Sequence, residues 1–317
     1  MQHLHDCSAN SALDTCLDCT QAPPSKAGEN SMFVITGATG NTGSVVAKSL
    51  LAAGQQVRAV VRDETKAQEL RALGAELFVA DMTDTAALER AVTGAQGVYF
   101  LSPPDMAARD FVAERRELTE RQVSALARAK VPHLVLLSSL GAQHADGTGP
   151  IRTLHNVEQQ LRRAGIPSTF VRAAYFVENW GAVAHPVKQD GVLPSFLDLD
   201  TPAPMVSTPD IGKTAARALL EGPRGFRAVE LSGPTDPTPK ELAAVGSKLL
   251  GRPIQAVQAP LEAVVPTFTS FGISQNVAEL YREMYVGIGS GRVAAEPGNE
   301  SVRGVTSVEE TLRALWG

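Results

Sequence analysis

Cysteine is nearly missing from this chain. Its 317 residues hold three, Cys7, Cys16 and Cys19, and residues 20–317 hold none. That excludes a disulfide framework for the body of the protein and makes a cytoplasmic setting the expectation. No apolar run approaches the ~20 residues needed to span a bilayer. The N-terminus shows no basic stretch followed by an apolar one, so no secretory signal is expected. An excess of cations is also lacking. The chain carries 29 Lys+Arg against 34 Asp+Glu, a net charge of −5, which argues against coating of a phosphate backbone. Gly-x-Ser-x-Gly, His-Glu-x-x-His and a phosphate-binding Gly-Lys-Ser/Thr loop are all missing. Nucleophile-elbow, zinc-protease and P-loop chemistry are therefore not expected. What remains is ordinary globular composition, 44% hydrophobic and 20% charged, long enough for one large domain or two smaller ones.

Residues 1–31 show no helical or strand period, carry Pro23-Pro24 and read as a disordered tail, with Met32 as an alternative start. His3, His5, Cys7 and the Cys16-Leu-Asp-Cys19 pair include soft metal-ligand types. Their spacing lacks a regular second ligand pair, so no metal is expected.

From Phe33 the pattern changes. Phe33-Val-Ile-Thr36 predicts a strand, Gly37-Ala-Thr-Gly40-Asn-Thr-Gly43 a tight turn, and Ser44–Ala53 a helix stopped by Gly54. Glycines here serve a turn with positive φ, close backbone approach to a pyrophosphate, and close packing of helix on strand. The helix N-terminus then receives the phosphates. Strands at 56–61, 76–79, 97–101, 133–137 and 168–171 alternate with helices at 64–73, 85–92, 106–129 and 152–164. That alternation predicts an α/β fold, a parallel sheet wound on both faces, with ligands at the carboxyl ends of the strands.

Those ends supply the candidate cofactor-binding residues: Thr36, Gly37, Thr39, Gly40, Asn41, Thr42, Gly43, Arg62, Lys66, Asp81, Met82, Leu101, Ser102, Pro103, Ser138, Ser139, Ala174, Tyr175 and Phe176. Arg172, also at a strand end, adds a cation. The end of the second strand selects the nicotinamide. An acid there binds the adenine ribose diol, whereas a guanidinium holds a 2′-phosphate. Arg62 with Lys66 predicts NADPH over NADH. Asp63 either caps the following helix or admits some NADH.

Val34–Gly43, Val57–Asp63 and Ala80–Asp84 resemble the NmrA-like family of atypical short-chain dehydrogenase/reductases, as do Ser138–Ala142, Tyr175–Asn179 and Ser207–Lys213. The resemblance runs from about residue 32 to the C-terminus. It implies a Rossmann domain over 32–185 and a smaller C-terminal α/β substrate-binding region over 186–317, with some segments returning to the Rossmann core. Family members include NADPH quinone reductases, azo and triphenylmethane dye reductases, and cofactor-binding redox sensors.

Carbonyl-reducing relatives use Tyr-x-x-x-Lys, in which the Tyr protonates the developing alkoxide. None of the four tyrosines here has Lys four residues later. The chemistry expected is therefore hydride transfer from NADPH to a quinone or similar conjugated acceptor, including azo or triphenylmethane dyes, whose products need little help with charge. The alternative is a catalytically silent NADP-binding sensor acting through a protein partner. His155, at the start of its helix, and Ser138 are the candidate catalytic residues. Glu178 and Asn179 are read as structural. Phe268, Phe271, Tyr281 and Met284 are read as core of the C-terminal region rather than as cleft walls. No nucleic acid or membrane partner is expected, and the chain is taken as a monomer or homodimer.

Overall fold

The computed structural model describes residues 32–317. The His/Cys cluster of the first 31 residues lies outside the described residues. In chain order the elements are β1 (Met32–Ile35), α1 (Gly43–Ala52), β2 (Gln56–Val61), α2 (Gln68–Ala72), β3 (Glu76–Val79), α3 (Thr85–Val92), β4 (Ala95–Phe100), α4 (Phe111–Arg128), β5 (Leu134–Ser139), α5 (Arg152–Arg163) and β6 (Ser168–Ala173). There follow β7 (Tyr175–Phe176), α6 (Ala184–Asp190), β8 (Val192–Ser195), β9 (Met205–Val206), α7 (Thr208–Glu221), β10 (Phe226–Ser232), α8 (Pro239–Leu250), β11 (Gln255–Gln258), α9 (Val264–Ser270), α10 (Gln275–Gly289), β12 (Glu300–Arg303) and α11 (Val308–Trp316).

Eight strands form one sheet in the order β12-β10-β6-β5-β4-β1-β2-β3, and every pairing in it is parallel. Parallel strands need cover on both faces, which is why β1 is an apolar run rather than an alternating one. On one face Val46 and Leu50 of α1 and Ile211 and Leu219 of α7 pack on Ile35, Tyr99 and Val171. On the other, Leu88 of α3, Leu126 of α4 and Leu161 of α5 pack on Val34, Phe100, Leu136 and Phe170. This is the doubly wound α/β fold that the alternation predicts. The chain steps outward from β1 to β3, then returns to β4 on the other side of β1. The crevice between the β1 and β4 carboxyl ends is the place such a sheet offers to a ligand.

A further core joins Trp180, Val187, Leu193, Leu242, Leu312 and Trp316, with the Trp316 indole N–H donating to the Trp180 carbonyl at 3.1 Å. The sheet's outer strands, β10 and β12, also come from the back half of the chain. No helix among the described residues is long and apolar enough to cross a membrane.

Two differences from the sequence pattern bear on the site. The long helix expected from residue 106 begins at Phe111, because the Asp110 carboxylate accepts the Ala113 N–H at 3.1 Å while Glu114 accepts the N–H groups of Arg109 and Asp110. Residues 101–110 instead form a connection held against the α10 N-terminus, where the Ser274 hydroxyl donates to the Ala108 carbonyl at 2.6 Å. Strand β12 was not legible in the sequence. It is a polar, largely exposed edge strand without alternation.

Candidate functional site

Two cavities meet at the crevice. The first, about 1190 Å³, runs past the glycine turn. Gly37 has φ +61°, and a Cβ there would lie 2.8 Å from Leu101 Cδ2. A Cβ on Gly43 would come within 2.3 Å of the Gly37 carbonyl oxygen. Both glycines are therefore steric requirements of the turn. Beneath it, the Thr36 hydroxyl donates to the Tyr99 carbonyl at 3.0 Å and accepts the Leu101 N–H at 3.2 Å. The Tyr99 hydroxyl donates to Thr42 Oγ1 at 2.8 Å, and burial holds that phenol far above its usual range.

The α1 N-terminus has no side-chain cap, a feature it shares with α2, α5, α6, α7 and α9. Asp84, Asp110, Thr238, Ser274 and Ser307 cap α3, α4, α8, α10 and α11 through their side chains. Thr42 makes no such bond to α1, and no acidic residue stands in that helix's first turn. Its positive end is left for an anion from outside.

Of the turn residues, Gly37, Thr39 and Gly40 line this cleft; Thr36, Thr42 and Gly43 are buried and brace it, and Asn41 is exposed beside it. Farther along, Arg62, Lys66, Asp81 and Met82 line the wall. The Asp81 carboxylate accepts the backbone N–H and hydroxyl of Thr83, which holds it below the usual carboxylate range. Asp63 caps the helical turn after it, accepting the Thr65 N–H at 2.9 Å and the Thr65 hydroxyl at 2.6 Å. Its carboxylate is lowered for the same reason.

The second cavity, about 540 Å³, is mostly apolar. Leu101, Pro103 and Pro104 also line the first cavity, and Ser138, Ser139, Ala174, Tyr175 and Phe176 form the inner wall of the second. Tyr281 and Met284 of α10 also line it. They are walls of the cavity rather than the closed core expected of them. Phe268 stacks on Tyr281 at 5.0 Å between ring centroids, and Phe271 is exposed. Burial raises the Tyr175 and Tyr281 phenols above their ordinary values.

The tertiary structure gives several of the expected residues particular surroundings. His155 does not line either cavity; its Nδ1 lies 2.9 Å from the Ala142 carbonyl, while its neighbours Thr153 and Leu154 face the cavity. The Ser138 hydroxyl donates to Glu158 Oε1 at 2.6 Å, so its proton is committed below the floor. Arg172 supplies no cation to the cleft. It is buried and pairs with Glu158, Glu230 and the half-exposed Glu296 at 2.7, 3.1 and 2.6 Å. Glu178 is indeed structural, accepting the Thr208 N–H at 2.8 Å at the start of α7, but Asn179 lines the cavity.

Sequence reasoning missed Arg115, Arg121 and Gln122, which line the first cavity from α4. Arg115 is buried and bonds Ser102 at the junction of the cavities; burial lowers its pKa, and Asp105 opposes that shift. The Gln122 Nε2 donates to the Met82 carbonyl at 2.8 Å. The available signal was spacing: residues 115, 118 and 122 fall on one helical face.

A parallel sheet with a glycine turn at its switch point and an apolar cavity beside it defines a Rossmann-type dinucleotide-binding protein. The chain belongs to the NmrA-like family, whose profile matches residues 29–297. It is 27% identical to the NAD(P)H azoreductase of Xenophilus azovorans over 80% of this chain and 86% of that one. It is 33% identical to (4-alkanoyl-5-oxo-2,5-dihydrofuran-3-yl)methyl phosphate reductase of Streptomyces griseus over 73% of this chain and 78% of that one. Among solved structures it resembles the NADPH-dependent quinone oxidoreductase of Escherichia coli complexed with NADPH. The TM-score is 0.75 at 26% identity, over 90% of this chain and 100% of that one.

Proposed function

We propose that this protein is a reductase that binds a nicotinamide dinucleotide, prefers NADPH, and reduces a quinone or similar conjugated acceptor such as a dye. One observation carries the reading. The cleft below the uncapped α1 N-terminus and the apolar cavity share Leu101, Pro103 and Pro104 as walls, so a dinucleotide laid along the first would present its far end to the second.

The residues fit such a cofactor. Gly37, Thr39 and Gly40 leave room for a pyrophosphate at the positive end of α1. Arg62 and Lys66 line the far wall, and neither is in an ion pair among the described residues. With Asp63 held as a cap, a 2′-phosphate meets two cations there. When bound, a reduced nicotinamide supplies a hydride, two electrons and one hydrogen. Ser138, whose hydroxyl donates to Glu158, offers lone pairs that suit an amide N–H. Tyr175 and Tyr281 line the acceptor cavity, and burial keeps both phenols protonated at neutral pH. The apolar walls exclude water from the transfer.

The test is loss of nicotinamide absorbance by the full chain with NADPH or NADH and 1,4-naphthoquinone or an azo dye. Turnover with a lower KM for NADPH is expected. Tight NADPH binding with no turnover on any acceptor would overturn the enzyme reading.

A further inference from the structure

The charge pattern around the 540 Å³ cavity narrows the acceptor, an inference that rests on the reductase reading above. Among the described residues, no Lys, Arg or His side chain lines this cavity, and no carboxylate does. Its polar groups are the hydroxyls of Ser102, Ser138, Ser139, Thr153, Tyr175 and Tyr281, together with the amide of Asn179.

The groups just beneath the floor offer an anion no free cation. The Ser138 hydroxyl donates to Glu158, which shares the Arg172 guanidinium with Glu230 and the half-exposed Glu296, and Glu296 also lies near Arg162. Burial favours the protonated form of Glu230. The cations nearest in sequence to the walls are otherwise engaged. Arg152, beside Ile151, faces Glu283 at 3.9 Å, and Arg115 lines the cofactor cleft behind Ser102.

We infer that the acceptor taken by this cavity carries no anionic group: phosphorylated, sulfonated or carboxylated conjugated acceptors are excluded. A phosphate or sulfonate entering here gives up its hydration and finds hydroxyl dipoles but no countercharge, and an unpaired buried charge is among the most costly states in a protein. A neutral ring ketone loses little water and gains hydroxyl donors for its oxygen.

The experiment compares 1,4-naphthoquinone with 1,4-naphthoquinone-2-sulfonate. The sulfonate withdraws electrons and makes its ring the easier one to reduce, so any preference for the neutral quinone runs against intrinsic reactivity. We expect kcat/KM for the neutral quinone to exceed that for the sulfonate by about 100-fold. Affinity for the NADP⁺-saturated protein, read by calorimetry, is expected to follow the same order. Thr153→Lys, which brings an ammonium to a partly exposed wall position, is expected to shift the ratio toward the sulfonate by about tenfold. Equal use and equal binding of the two quinones, within about threefold, would overturn the inference while the reductase reading stands. Selective binding of the neutral quinone without turnover of either would sustain the inference and overturn the reductase reading.

Discussion

Replacing Arg62 by alanine tests how the far wall of the cleft reads a 2′-phosphate. The side chain is exposed, lines the cleft at the end of β2, and has Lys66 nearby on the same wall. Asp63 is bound to Thr65 and does not hold Arg62 in an ion pair among the described residues. A hydrogen bond to a charged group contributes about 1.5–3 kcal/mol, and exposure to solvent and salt puts this one at the low end of that range. About 1.5 kcal/mol corresponds to roughly a tenfold change in affinity. Arg62→Ala should therefore raise Kd and KM for NADPH by about tenfold, with kcat nearly unchanged, since the phosphate is remote from the reacting ring. NADH lacks the phosphate, so its constants should move by less than about twofold. The NADPH effect should shrink as ionic strength rises, because the pair is screened. Fluorescence titration with both cofactors and steady-state kinetics at low and high salt make the measurement. An equal loss for NADPH and NADH, or no loss for either, would refute the assignment of Arg62 to the phosphate.

The buried ion cluster makes a separate prediction. Glu158→Ala removes both a partner of Arg172 and the acceptor of Ser138, and should lower stability to urea by about 3–5 kcal/mol. Asp200→Ala, which removes only the exposed pair with Lys240, should cost less than about 1 kcal/mol. Gly43→Ala, whose Cβ would lie 2.3 Å from the Gly37 oxygen, should destabilise the fold by about 1–3 kcal/mol and weaken NADPH binding in titration. His133 is buried, and that burial chiefly lowers its pKa from 6.5 to about 4. The native state thus keeps His133 neutral where the unfolded chain takes up a proton. Stability should fall as pH drops from about 6.5 toward 4, by ~3 kcal/mol from this group alone. Urea midpoints at pH 7 and 4.5 should show a smaller acid loss in His133→Phe, and an identical loss would exclude His133 as a source.

Much of the fold was legible because local pattern and global fold agree. Phe33–Ile35 is apolar on both faces, as a central parallel strand must be, and Gly37, Gly40 and Gly43 follow it where a tight turn enters a helix. At the start of the last helix the Ser307 hydroxyl accepts the Glu310 N–H, as a Ser three residues before a Glu favours. The edge strand β12 lacked any such signal. It owes its conformation to hydrogen bonds offered by β10, not to its own residues.

The sequence by itself determined the doubly wound sheet, the glycine turn and the cation at the end of β2. Each rests on residues close together in the chain, where periodicity, turn geometry and capping act directly. Only the tertiary structure decided which side chains face a ligand. His155 and Thr153 share one helix, yet the first turns to the Ala142 carbonyl and the second to the cavity. Arg172 sits at a strand end, yet Glu158, Glu230 and Glu296 draw it under the floor from three distant segments. Tyr281 and Arg115 reach the site from α10 and α4, far from the motifs in sequence. A side chain's direction is set by partners that meet only when the chain closes on itself, and a local pattern carries no record of them.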